Sequence, residues 1–312
     1  MFLSLNLFPQ SMAILATAVG AGDLSDAEIL GRYPAVVAAG AVLLTLGLIC
    51  DVYLLFRLTR SLTNREPSSS EALLKINAKP WGVADLLFAS GAVIIVWMVG
   101  EGIVLLVFKL AHVNEASTLP WVLAVEMFLR IAVLFGFVEF FRRRGVDWGE
   151  AIGLRHQPPL RAITSGGIFF LAILPPLAAV FAVSATLCRL LHIDDTPQPI
   201  ADLLATSDSS TVVGLIIIFA IAIAPVFEEF VFRGFAYPAL KQRWGTWRAL
   251  AAVSAAFAAI HLHVPSLGPL FALAVGLGLS YEFTGSLLAP ITMHALFNAT
   301  NVGMLLYVRA HS

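Results

Sequence analysis

Apolar stretches of about 20 residues, each enough for a helix to cross the hydrocarbon core of a bilayer, recur throughout the chain. They fall near 35–56, 83–108, 119–141, 162–189, 211–240, 247–263, 267–284 and 286–308, with 247–263 short and 211–240 long. The pattern predicts an all-α fold: a polytopic helical membrane protein with about eight transmembrane helices.

Charge sets the orientation. The loops 57–79, 142–161 and 241–248 hold 5, 5 and 3 Lys/Arg, whereas the opposite side has only Arg32, Lys109, Arg189 and Arg309. Basic loops stay in the cytoplasm, so both termini are expected outside, as is the acidic stretch Asp194, Asp195, Asp202 and Asp208. Of the 312 residues 59% are hydrophobic and 12% charged, against roughly 25% charged in a typical soluble domain, which excludes a water-soluble globule. The net charge of -1 and the lack of a basic, aromatic-rich cluster exclude a nucleic-acid partner. Cys50 and Cys188 fall near opposite faces of the bilayer, too far apart for a disulfide.

The segment Met1–Gly22 is apolar but lacks the positive start of a signal peptide, so cleavage is not favoured. A polar linker surrounds Pro67, and a second boundary falls near 145–161, a stretch that opens with GVDWGEAIGLRHQPP. The expected division is an N-terminal membrane region of about three spans at 1–150 and a core of about five spans at 151–312, which holds most of the polar chemistry.

A charge inside a span costs several kcal/mol, so each one needs a partner or a task. Asp51, Asp85 and Glu139 lie near cytoplasmic helix ends and can reach basic neighbours; Glu126 and Arg130, four apart, are read as neutralising each other, and Glu101 has no evident partner. The denser group is Glu228, Glu229 and Arg233 in PVFEEFVFRG, His261 in FAAIH, and His294 with Asn298 in HALFN. Glu228 precedes Lys241 by 13 residues and His261 follows Arg248 by 13, which puts both about 20 Å from one basic loop. His294 comes level after modest tilt, so three helices can share one intramembrane polar pocket. Successive helical residues point about 100° apart, so Glu228 and Glu229 have different roles: Glu229 pairs with Arg233, and Glu228 is left for a ligand or a water. His263 faces elsewhere and is read as structural.

At these residues the chain resembles the CPBP family of intramembrane proteases, which includes the CAAX prenyl endopeptidase and bacterial proteins linked to bacteriocin self-immunity. The family pattern EExxxR, FxxxH and HxxxN is present in order as Glu228-Glu229-x-x-x-Arg233, Phe257-x-x-x-His261 and His294-x-x-x-Asn298. The resemblance covers about 155–308. It implies that Glu228 and His261 activate a water, that His294 and Asn298 stabilise the oxyanion on the scissile carbonyl, and that Glu229, Arg233 and Phe257 support them. The expected activity is endopeptidase cleavage of a membrane-associated or lipidated peptide or protein, by a multi-pass integral membrane enzyme among membrane lipids, in the plasma (inner) membrane if the source is bacterial.

A cofactor is left open. Glu228, His261 and His294 form a conceivable three-ligand set for a divalent metal such as zinc, and the family is often called metalloprotease for that reason. A metal-free glutamate mechanism is favoured, because Asn298 is a good oxyanion donor and a poor zinc ligand, and HExxH is absent. No GxSG serine motif occurs, and the one GxGD, Gly20 to Asp23, lies in a poorly hydrophobic segment. The alternatives are a proton-coupled transporter relaying through Glu101, Glu228 and His261, and a non-catalytic membrane scaffold derived from a protease.

Overall fold

The structure, a computed structural model, describes residues 33–63, 76, 79–111, 115–151, 153, 157–193 and 199–311. The segment before residue 33, the linker around Pro67, His112, His156 and the acidic pair Asp194–Asp195 lie outside the described residues. Among the described residues the regular elements are all helical. In chain order the main ones are α1 (Pro34–Thr63), α2 (Val83–Leu110), α3 (Glu115–Arg143), α4 (Pro159–Leu190), the short α5 (Pro199–Thr206), α6 (Ser210–Trp244), α7 (Thr246–Ala259), α8 (Leu267–Thr284) and α9 (Leu288–His311).

The polytopic helical architecture is as the apolar stretches predict, but the number of spanning helices is smaller. Among the described residues six segments are long and apolar enough to cross a membrane: Pro34–Phe56, Val83–Leu110, Thr118–Arg143, Pro159–Leu190, Ser210–Trp244 and Val264–Thr284. The expected span at 247–263 is instead the 14-residue α7, about 21 Å long and too short for a hydrocarbon core of about 30 Å. It ends just before His261, and the chain turns back at Leu262, whose φ of 50° is rare for a side chain branched beyond Cβ. The last stretch does form the 24-residue α9, but His294, Asn298 and Asn301 break its apolar run.

Helix α4 packs against α1, α8 and α9. Close approach is secured by glycine: a Cβ on Gly166 would stand 2.5 Å from the Ala289 carbonyl oxygen of α9, and one on Gly47 of α1 the same distance from that of Leu171. Aromatic side chains cluster where α2, α3 and α6 meet, with Trp81, Phe137, Phe141, Phe230 and Phe235 all buried. The Trp81 indole N–H donates to the Phe235 carbonyl (3.1 Å), and Lys241 and Gln242 donate to the carbonyls of Ile76, Lys79 and Trp81, so the residues leading into α2 are strapped across the end of α6. Asp85 and Glu139 find the basic partners expected of them: Asp85 pairs with Arg144, and Glu139 with Arg142 and Arg143. Outward faces of α1 and α2 carry Ile49, Val52, Phe88, Ile95 and Met98, exposed apolar side chains that a lipid environment accommodates. Cys50 and Cys188 are both free.

Candidate active site

The site is built around an irregularity in α6. Two π-helical turns, Phe219–Ile223 and Phe230–Ala236, bracket the regular segment Ala224–Glu229 that carries the two glutamates. Prolines explain both. Pro225 and Pro238 have no N–H and their rings crowd the carbonyl four residues back, and a wider turn ahead of each relieves that crowding. The Ala224 N–H accordingly reaches Phe219 and the Tyr237 N–H reaches Phe232, each five residues back. In that register the natural partner of the Ala220 carbonyl would be residue 225, a proline with nothing to donate.

Asn298 of α9 fills the gap: its Nδ2 donates to the Ala220 oxygen at 2.8 Å. This carbonyl can only accept, which fixes the amide orientation and leaves Oδ1, buried, without a partner. One amide hydrogen of Asn298 thus joins α9 to the π turn, and the other is available to a ligand.

Glu229 is fully buried and holds the site together. Its Oε1 accepts from Arg233 Nη1 and from His294 Nδ1, each at 2.9 Å. Arg233 also donates through Nη2 to the Ala274 carbonyl of α8 (2.9 Å), and its guanidinium lies 4.8 Å from the centre of the Phe257 ring. The expected Glu229–Arg233 pair is therefore present, and it also ties α6 to α7, α8 and α9.

Partners fix the histidine tautomers. The Glu229 carboxylate accepts, so His294 donates from Nδ1, and its Nε2 lies 3.9 Å from Glu228 Oε2. His261 donates from Nδ1 to the Phe257 carbonyl at 2.6 Å, which likewise leaves its Nε2 unencumbered. The Phe257 ring sits against both imidazoles, with centroids 4.9 Å from His261 and 6.0 Å from His294. Glu228 makes no hydrogen bond among the described residues, and its side chain, 11% exposed, is the most accessible of the group. The structure thus gathers Glu228, Glu229, Arg233, Phe257, His261, His294 and Asn298 around one buried locus. His263 turns aside to bond the Ser266 hydroxyl at 2.6 Å.

Beyond the motifs, Glu126 and Arg130 of α3 pair as expected, but not in isolation. Glu126 accepts from the Trp97 indole N–H (3.0 Å) and shares a hydrogen bond with Glu101, the carboxyl group for which the sequence offered no partner. The Arg130 guanidinium lies against the rings of Trp97, Phe219 and Phe227, the last two on the motif helix, and its charge is among those that act on Glu228. Sequence spacing finds the Glu126–Arg130 pair but carries no sign of its nearness to Glu228. Asn301, fully buried two turns beyond His294, was also missed; its position seven residues on, on the same helical face, was the available signal.

Among the described residues no three His, Cys, Asp or Glu side chains stand together in a way that could hold an ion. Glu228, His261 and His294 therefore do not stand as the three-ligand set considered from sequence.

Residues 210–300 match the profile of the type II CAAX prenyl endopeptidase Rce1-like family. No curated protein and no solved structure matches the chain. All three motifs fall inside the matched segment, on helices that the structure brings together. Over residues 210–300 the chain is therefore similar to the Rce1-like type II CAAX prenyl endopeptidase family, in the segment that holds all three motifs.

Proposed function

We propose that the protein is an intramembrane endopeptidase that hydrolyses a peptide bond of a membrane-associated, lipidated substrate, with Glu228 as the general base. The observation that carries this reading is the contrast between the two adjacent glutamates. Glu229 is committed to Arg233 and His294, while Glu228 makes no hydrogen bond among the described residues, is partly accessible and faces Nε2 of His294.

Glu228 takes a proton from a water held between its carboxylate and His261, and the water oxygen adds to the scissile carbonyl carbon. Negative charge develops on the carbonyl oxygen, where the second amide hydrogen of Asn298 and a protonated His294 Nε2 serve as donors. Glu229 stabilises that imidazolium from Nδ1, as a carboxylate does behind many catalytic histidines. Donors of this kind contribute about 3–4 kcal/mol each in a site that excludes bulk water. Collapse of the intermediate returns the proton from Glu228 to the leaving amine, so one water is consumed and two peptides are released. Exposed apolar faces on α1 and α2 suit a substrate that arrives within the bilayer.

Purified wild type in detergent should shorten a fluorogenic farnesylated peptide, with cleavage surviving a zinc chelator. Loss of cleavage on chelation, restored by added zinc, would overturn the metal-free mechanism. No cleavage of any lipidated peptide would move the weight to a transporter or scaffold.

A further inference from the structure

Asn301 is fully buried, and neither atom of its carboxamide has a hydrogen-bond partner. A buried amide normally uses both its donor and its acceptor, and leaving both unmet costs more than replacing the residue with an apolar one of the same shape. Val302 and Leu305, which follow it, sit in an apolar cluster with Ile216, Phe219 and Ala220, so the packing beside it is apolar. Something outside the protein's own polar groups must satisfy it.

Position says what. On a helix of 100° per residue, His294, Asn298 and Asn301 fall within about 60° of arc and within about 10 Å along the axis. The Asn298 Oδ1, one turn from Asn301, is also a buried acceptor with no partner, and so is Oε2 of Glu229 behind His294. A group that bridges these positions must both donate and accept, and must be small enough for a place with no exposed surface. Water meets both conditions, and buried water typically makes about three hydrogen bonds to such groups.

We propose that the His294–Asn298–Asn301 face of α9 holds a short file of internal water, anchored at Asn301, that resupplies the nucleophile. The inference rests on the peptidase reading above and adds to it: each cleavage consumes one water in a site walled by protein and lipid, where the hydrocarbon supplies none. Asn301 is a positioning residue here; it touches the water rather than the substrate.

Two arms test it. In the first, full-length Asn301→Leu, which fills the space with apolar atoms, is compared with Asn301→Ser, which keeps a hydroxyl and leaves room. The file predicts that Leu lowers kcat about tenfold, the loss of roughly one well-placed hydrogen bond, at unchanged KM. Ser should keep most of kcat although its melting temperature is the lower of the two. A packing role alone gives the same order in kcat and melting temperature, and that result, or full kcat in Asn301→Leu, would overturn the proposal. The second arm is independent of any activity: a map of the wild-type protein that resolves water should show density within hydrogen-bonding distance of the Asn301 amide and Asn298 Oδ1. An Asn301 bonded to protein backbone, or to a peptide, would overturn it, whereas density at Asn301 with no cleavage by wild type would place the failure in the peptidase reading.

Discussion

Arg233 has more to lose on substitution than its place outside the proposed reacting groups suggests. It is fully buried and satisfies Glu229 and the Ala274 carbonyl together, so Arg233→Met leaves a buried carboxylate short of its counter-charge. Removing one partner of a buried ion pair costs about 3–5 kcal/mol, measurable by equilibrium unfolding in mixed micelles. The double variant Glu229→Met, Arg233→Met removes both charges and should recover much of that stability. Activity should not recover with it, because His294 then has no acceptor for its Nδ1–H and its ring is no longer held. Recovery of both together would mean that the pair is structural only. Phe257 belongs to the same set of fixed parts, since its ring touches both imidazoles and the Arg233 guanidinium while its carbonyl sets the tautomer of His261.

Among the elements, α6 owes its site to two prolines. Pro225→Ala restores an N–H at 225, which lets the turn before it tighten to regular α geometry and satisfy the Ala220 carbonyl from the backbone. Asn298 would then lose its partner and Glu228 would rotate with the helix. The expected outcome is a melting temperature unchanged or raised, with kcat lower by about 10²-fold, the scale of a misplacement of an ångström or so. A variant with wild-type kcat would show that the π turn does not position the site.

Sequence spacing made much of this element legible. The i,i+4 offset of Glu229 and Arg233, the equal distances of Glu228 and His261 from one basic loop, and the shared face of His294 and Asn298 each follow from helix geometry alone. The π turns did not follow, because proline announces a break in the hydrogen-bond ladder without saying whether the helix kinks or widens. The shortness of α7 was hidden too: Ile260, Leu262 and Val264 extend its apolar run past the point where the backbone turns. Nor does any local pattern join Glu101 to Glu126, since their contact depends on how α2 meets α3.

At the scale of the whole molecule, the N-terminal helices are packed into the site's surroundings. Trp97, Glu126 and Arg130 come from α2 and α3, yet Arg130 rests on Phe219 and Phe227 of α6. Arg130→Met should therefore lower kcat several-fold without loss of expression, as measured on the same lipidated peptide, whereas an unchanged kcat would confine Arg130 to holding α3. Orientation follows from the basic loops: a single cysteine replacing Arg243 should resist a membrane-impermeant thiol reagent in intact cells, in a protein whose own two cysteines are replaced, while one replacing His311 should react. The reverse pattern would invert the topology.

In the proposed mechanism Glu228, and not its neighbour's ion pair, drives hydrolysis inside the membrane. The most direct measurement is single-turnover cleavage of a lipidated peptide in proteoliposomes by wild type and Glu228→Gln, with peptide binding and melting temperature followed in parallel. General-base loss predicts a rate lower by about 10²–10⁴-fold in Glu228→Gln, with binding and melting temperature retained. Cleavage by Glu228→Gln at the wild-type rate would show that Glu228 is not the base.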